Sequence, residues 1–457
     1  MLLNFSFKNF RSFYNKAELS MIATGKRDHL DNLINVKGIK HKILPTVLIY
    51  GGNAVGKTSV ILAQMMLKEI VLKGNLINTV DSLLRNLPIC SFIHEEEKYE
   101  SPMEFNITFS DSLDEIKYDI INYKCVIKNR NNVEFINKPI VIEEELNINN
   151  INIFKRNKND VIFNIKNEAF KYYYCSKENY INVQKLLNMQ VKLFKENMGE
   201  NTIFTTWYSN LNKKLVDRIV TWFNEKYILM YNFNESNAYY SVDLNNEKNV
   251  YEKIVLKGKE IDIIKSCIDI GPQTIIFESE KNNNILPDNN VKLELRSVYT
   301  IDSVNTNKTR ISIPSDFTES KGTIKMYKFL KPLISTLASG ATMVVDELDA
   351  SIHPELLIGI IKIFNDTEIN KKRAQLIFNT HNPIYLNKEI FRRDELYFIE
   401  KNEETYESEL YSLVDFKEKN IRSDENYMKN YMNGKYGAIP YCNIENAIIS
   451  ILKDFEG

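Results

Sequence analysis

"YGGNAVGKTS", Tyr50 to Ser59, decides the fold. It follows the apolar run Ile43 to Ile49 and leads into Thr58 to Leu72, where Ile61, Met65, Leu67, Ile70 and Val71 recur at helical spacing. Strand, glycine loop, helix: in that context GxxxxGK[ST], met by Gly51, Gly56, Lys57 and Thr58, wraps a phosphate chain. The glycines let backbone N–H groups turn inward, and Lys57 brings a point charge to the β and γ groups. Thr58 offers its hydroxyl to Mg²⁺, and the helix N-terminus adds its dipole. Asn53 and Ser59 complete the nucleotide-facing set of the loop. The loop by itself calls for a phosphate chain and Mg²⁺. Kinases, transporter motors, GTPase switches and ATPase clamps all carry such a loop, so the remaining motifs must choose among them.

The second motif is MVVDELDASIHPE, Met343 to Glu355. Its apolar strand ends in Asp346, a carboxylate at the edge of the sheet where it can join Thr58 in the Mg²⁺ shell. Glu347 beside it can orient or deprotonate the attacking water. A lone acidic pair after a strand is as often a solvated turn, but the glycine loop in the same chain favours the catalytic reading. The third motif, QLIFNTHNP from Gln375 to Pro383, delivers His381 to the same edge, where it can sense the γ-phosphate and hold the water in line. Lys57, Glu347 and His381 are thus the catalytic candidates.

Around these motifs the chain alternates in texture. Leu3, Phe5 and Phe7 against Asn4, Ser6 and Lys8 give the period of a half-buried strand, whereas Thr46 to Tyr50 reads as a strand buried on both faces. Residues 90–165 are rich in strand patterns bounded by Asn, Asp or Pro. From about 178 to 232 the pattern turns helical around LVDRIVTWFNEKY, and no heptad repeat persists, which excludes a long coiled-coil arm. VKLELRSVYTI and TRISIPS read as a hairpin leading into a helix that starts near Ser320. TMVV (342–345), PELLIGIIKIF (354–364), QLIFN (375–379) and ELYFI (395–399) then alternate strand and helix, the mark of a mainly parallel sheet covered on both faces.

Among 457 residues, 44% are hydrophobic and 26% charged, a normal globular balance, and the formal net charge is -1. No overall basic footprint for nucleic acid is present, so any such contact would be local. The basic groups KRNK (Lys155 to Lys158) and KKR (Lys371 to Arg373) are candidates, although runs this short are commonly solvated loops. Five dispersed cysteines, Cys90, Cys125, Cys175, Cys267 and Cys442, support neither a zinc site nor a disulfide framework and read as reduced thiols. No signal peptide pattern or long apolar span is seen, so a cytoplasmic protein without membrane contact is expected. The asparagine tracts at 147–160 and 280–284 read as surface loops.

FKNFRSF (Phe7 to Phe13), GGNAVGKTS, FTESKGT (Phe317 to Thr323), VVDELDASIHPE, FNTHNPIYL (Phe378 to Leu386), RRDELYFIEK (Arg392 to Lys401) and YMNGKYGAIP (Tyr431 to Pro440) occur in this order. Together they resemble the ABC ATPase clan of SMC and RecF proteins and OLD nucleases. Within it they look most like the RloA/AbiL type of bacterial ATPase associated with phage defence. The resemblance covers both ends of the chain and is weak from about 165 to 290. It implies an α/β fold: an ABC-type ATPase head with a mixed or parallel sheet core flanked by helices, plus an inserted α+β lobe. Residues 1–165 would form the first part of the head with a β-rich lobe, 166–290 an inserted and largely helical lobe, and 291–457 the second part of the head.

In that clan two heads meet head to tail around two ATP molecules, so the resemblance implies ATP as the cofactor beside Mg²⁺. By resemblance, Ser320 and Gly322 of ESKGT would be the signature that meets the γ-phosphate of a second copy, in place of the LSGGQ of transporters. Asp349 would be the acid that reads the partner copy, and Arg11 would touch phosphate or nucleotide. No glutamine near Cys90 to Glu97 fits a Q-loop. The resemblance implies a homodimer or higher oligomer that acts as sensor and switch in antiphage defence. It would control a separately encoded effector, a nuclease or Toprim-like protein, in response to a nucleic acid or phage protein. The alternatives are a RecF-like repair ATPase that binds DNA directly, a transporter motor, and a self-contained nuclease. The last is not expected, because no DxD pair follows His381.

Overall fold

The computed structural model describes residues 1–76, 91–164 apart from 93, 113–117, 131–137 and 159, then 201–206, 212–231, 254–255, 274–279, 293–302, 308–416 apart from 351, and 425–439, with single positions beyond these. Most of the 166–290 lobe, the 280–284 tract and the greater part of the helical reading over 178–232 lie outside the described residues.

The glycine loop grows from β3 (Thr46–Gly51), which is buried along its whole length. It is central in a six-stranded sheet with β9 (Tyr227–Met230), β14 (Thr342–Val345), β15 (Gln375–Thr380), β16 (Leu396–Lys401) and β17 (Ser408–Ser412), in the order β17-β16-β3-β15-β14-β9. All neighbours are parallel except the edge strand β17, which pairs antiparallel with β16. Successive side chains of a strand point to opposite faces, and the core divides accordingly. Val47, Ile49 and Ile377 pack on the side of helix α1 (Lys57–Lys73), while Leu48, Tyr50 and Phe378 pack on the side of α3 (Lys321–Ser339) and α4 (Pro354–Asn365). Between them in sequence lies α2 (Lys213–Thr221), capped by the Asn212 side chain.

A second sheet is wholly antiparallel. β1 (Leu2–Lys8), β2 (Ala17–Ser20), β4 (Met103–Ser112), β5 (Tyr118–Arg130), β6 (Lys138–Ile148), β7 (Ile151–Asn157) and β8 (Asp160–Phe163) follow the order β2-β1-β4-β5-β6-β7-β8. Buried amides stitch it to the parallel sheet: Gln375 accepts from Leu2 N (2.8 Å) and donates to Leu2 O and Leu44 O, and Thr342 Oγ1 donates to Gln375. A third antiparallel sheet runs β10 (Ile254–Val255), β11 (Thr274–Ser279), β12 (Leu293–Asp302), β13 (Lys308–Pro314). Its β12–β13 hairpin feeds α3, and Glu319 at the junction accepts from Ser297 and Tyr299.

Several sequence expectations change here. Residues 227–230, read as part of the 166–290 lobe, form the edge strand β9 beside β14, held by Trp222 stacking on both Phe109 and Tyr227. The 147–160 tract is a hairpin rather than a loop: Asn149 and Asn150 adopt φ of 50° and 64°, as a two-residue turn demands, and Asn147 and Asn152 hydrogen-bond across strands. In KRNK, Lys155, Asn157 and Lys158 are exposed, and only the arginine departs from a solvated run. Arg156 is fully buried, donating to Lys158 O and Asn201 O beside buried Glu144, because its strand position faces the lobe interior. Cys125 is a free buried thiol, and the other four cysteines lie outside the described residues. Among the described residues no helix is long and apolar enough to cross a membrane.

Candidate nucleotide site

The loop between β3 and α1 carries two residues with positive φ, Ala54 at 59° and Gly56 at 116°, on either side of Val55, and a backbone that alternates in this way can present successive N–H groups to an anion. Gly56 is required twice over. Its φ disfavours a side chain, and a Cβ there would lie 2.8 Å from Ser12 Oγ and 2.9 Å from Phe13 Cε2. The FRSF turn is therefore pressed against the corner of the loop, and Ser408 locks both: its N donates to Ser12 O (2.7 Å) and its Oγ to Val55 O (2.6 Å). Arg11, left-handed with φ of 55°, is the exposed residue of that turn, one position before Ser12. Asn53 is exposed on the loop, and Ser59 is buried in the first turn of α1, its N donating to Gly56 O.

Lys57 is only 8% exposed. Its Nζ donates to Gly51 O (2.9 Å) and Gly52 O (2.5 Å), so the cation lies folded over the carbonyls of the loop. Burial pulls its pKa down, while Glu347, Asp346 and Asp349 pull it back up. A displaced ammonium surrounded in this way would gain from a polyanion at the loop.

β14 leads directly into Asp346, whose N donates to Met230 O. Its carboxylate receives the Thr58 hydroxyl at 3.2 and 3.3 Å and the Asn379 amide at 2.5 Å. Burial raises its pKa, opposed by these two hydrogen bonds, and neighbouring Glu347 adds to the rise. Asn379 has a second bond: its Oδ1 accepts from Glu347 N at 2.6 Å. One buried amide on β15 thus holds the side chain of Asp346 and the backbone of Glu347. Glu347 has φ of 48°, an uncommon conformation for a residue with a long side chain.

His381 follows β15 and is exposed; its carbonyl accepts from the Tyr50 hydroxyl at 2.8 Å, which ties the end of β3 to the histidine turn. Asp349, expected to face a second copy, has one oxygen turned inward to Thr380 Oγ1 of its own chain (2.6 Å), while its Oδ1 is buried without a hydrogen-bond partner. Ser320 caps α3, accepting from Thr323 N at 3.1 Å; Gly322 follows in the first turn. The structure therefore brings Lys57, Thr58, Asp346 and Glu347 together within one chain, while Ser320 and Gly322 stand at the N-terminal end of α3. Asn379, Thr380, Tyr50 and Lys325 were not among the sequence candidates. An asparagine inside the otherwise apolar strand QLIF was a usable signal, since a buried amide must find partners.

Residues 216–387 match the family model described as "AAA domain, putative AbiEii toxin, Type IV TA system". The match spans less than half of the chain and includes β9, α3, Asp346, Glu347 and His381; the glycine loop lies outside it, so the loop geometry is an independent observation. The matched segment is similar to an AAA domain, a likeness that suggests nucleotide binding and ATP hydrolysis, and the description of the family model names AbiEii and type IV toxin–antitoxin systems. No curated protein matches the chain.

Proposed function

We propose that the chain is a Mg²⁺-dependent ATPase of the ABC/SMC-like type, working as a head-to-tail homodimer that switches a separately encoded effector in antiphage defence. The observation that carries the ATPase reading is the network Thr58–Asp346–Asn379–Glu347, because it joins a glycine-loop hydroxyl to a strand-end carboxylate and fixes the next acid beside them. The defence reading is supported by the toxin–antitoxin association of the matched domain.

The chemistry follows from the residues. The loop N–H groups and Lys57 would take the β and γ phosphates, with Lys57 giving up its loop carbonyls. Hard oxygen donors suit magnesium, and Asp346 with Thr58 would hold it; among the described residues no cluster of three metal-ligating side chains occurs, so the remaining ligands would be phosphate and water. When bound, the cation would spread the charge that develops on the transferring phosphoryl group. Glu347 would orient the attacking water, and His381 would meet the γ-phosphate. Ser320 and Gly322 would complete the site of a second copy from the end of α3.

Lys57→Ala is expected to abolish ATP binding, whereas Glu347→Gln should bind ATP, stop turnover and accumulate a closed dimer in light scattering. Normal hydrolysis by Glu347→Gln would remove that residue from the water-orienting role. Purification with the products of adjacent genes tests the switch reading: a co-purifying nuclease or toxin supports it, and tight ATP-dependent DNA binding without such a partner supports a repair ATPase instead.

A further inference from the structure

Glu347 is gripped at both ends of its residue. A left-handed backbone with a side chain is strained and persists only where the surroundings over-determine it. Asn379 takes the amide hydrogen of Glu347. The carbonyl is taken by Lys325, whose Nζ donates to Glu347 O at 2.6 Å and to Ala350 O at 2.7 Å.

Lys325 is 3% exposed and stands on α3, about a turn beyond the capping Ser320. Burial pushes its ammonium down to about 8, with Asp349, Glu347 and Asp346 working against that shift. An apolar side chain in its place would pack without this desolvation cost, as Ile324 and Met326 do on either side. The lysine joins α3 to the residues that follow β14.

We infer that Lys325 is a positioning residue that couples the two nucleotide sites of the dimer. It ties the backbone of Glu347, which serves the chain's own nucleotide, to the helix whose Ser320 serves the nucleotide of the second copy. The inference rests on the head-to-tail reading above. A helix is stiff along its axis, so movement of Ser320 onto the partner's nucleotide shifts Lys325, and with it the carbonyls of Glu347 and Ala350. Each site then turns over in step with the other.

The test mixes active subunits with Glu347→Gln subunits in rising proportion and follows ATP hydrolysis. In the wild-type background, activity falls as the square of the active fraction, because a mixed dimer is silenced, and the ATP dependence is cooperative. In the Lys325→Met background, activity falls in direct proportion and the dependence becomes hyperbolic; at equal mixing the two backgrounds differ about twofold in residual activity. Lys325→Arg, which keeps the charge and the donors, restores the square law. Lys325→Gln is run in parallel and carries the same comparison where the methionine variant does not fold.

A Lys325→Met enzyme that melts lower but keeps the square law and cooperativity shows a merely structural lysine and overturns the inference. A proportional fall in the wild type overturns it as well. If Glu347→Gln forms no dimer with ATP, the head-to-tail reading fails and takes the coupling with it. If that dimer forms while Lys325→Met behaves as the wild type, only the coupling fails.

Discussion

Asn379 uses both ends of its amide, one on the Asp346 carboxylate and one on Glu347 N, inside a strand whose residues are all buried. Leucine there would keep the volume and leave a desolvated carboxylate and an N–H without that partner. Losing such hydrogen bonds costs about 1–3 kcal/mol. If most of that loss falls on the geometry of hydrolysis, kcat for Asn379→Leu drops by roughly 10- to 100-fold with a smaller change in KM. Steady-state kinetics beside a direct ATP-binding measurement separates the two. An unchanged kcat with weakened binding would mean that Asn379 serves the phosphate loop rather than Glu347. Asp349 makes the converse point, for its orphaned Oδ1 shows a carboxylate only half satisfied by its own chain.

At the scale of elements, the aromatics and glycines of the YMNGKYGAIP segment suggest a folded turn packed on the rest of the chain or on a partner, and its described residues pack on their own chain. Helix α5 (Tyr427–Met432) lies against the turn Pro383–Tyr385 that follows His381. Its Tyr431 ring meets Tyr50 edge-on at 4.7 Å and stacks on Phe398 at 6.0 Å, and its hydroxyl donates to Ala438 O. Tyr436 also packs on Phe398, and its carbonyl accepts from Tyr411. The segment is thus an aromatic cap over the end of β3 and β16, on the side of the sheet opposite α1. Truncating a buried aromatic costs about 3–5 kcal/mol, so Tyr431→Ala should destabilise by that amount in urea unfolding. Tyr431→Phe keeps the ring and loses one hydrogen bond, costing about 1 kcal/mol. Equal losses for the two variants would show that the hydroxyl, not ring packing, anchors the cap.

Across the whole molecule, stability should depend on pH through Glu395, a fully buried carboxyl at the junction of β3 and the Arg392–Glu395 turn. It accepts from Arg392 N (2.7 Å) and from the Thr46 hydroxyl (2.9 Å). Burial lifts its pKa from 4.5 to about 8, against the pull of those hydrogen bonds. The folded chain therefore keeps this proton up to about pH 8, while the unfolded chain releases it near 4.5. Stability from this group is full below 4.5 and is lost as pH rises toward about 8, by roughly 1.4 kcal/mol per pH unit within the window. Glu395→Gln should flatten that part of the profile and melt higher than the wild type above pH 8, as thermal scans across the range would show. A wild-type slope carried over unchanged into the variant would assign the effect to another group.

The sequence determined the chemistry-bearing parts, because each is local. The glycine loop, the acidic strand end, the capping serine of α3 and the alternation of strand and helix are written in a few neighbouring residues, through turn geometry, spacing and periodicity. Tertiary structure alone decided what those parts touch. That β9 completes the parallel sheet, that Asn379 spans Asp346 and Glu347, that Arg156 is buried, and that Lys325 reaches the carbonyls after β14 all depend on contacts between residues far apart in the chain. A side chain's type says which bonds it needs; only the packing of distant elements says which partners are within reach.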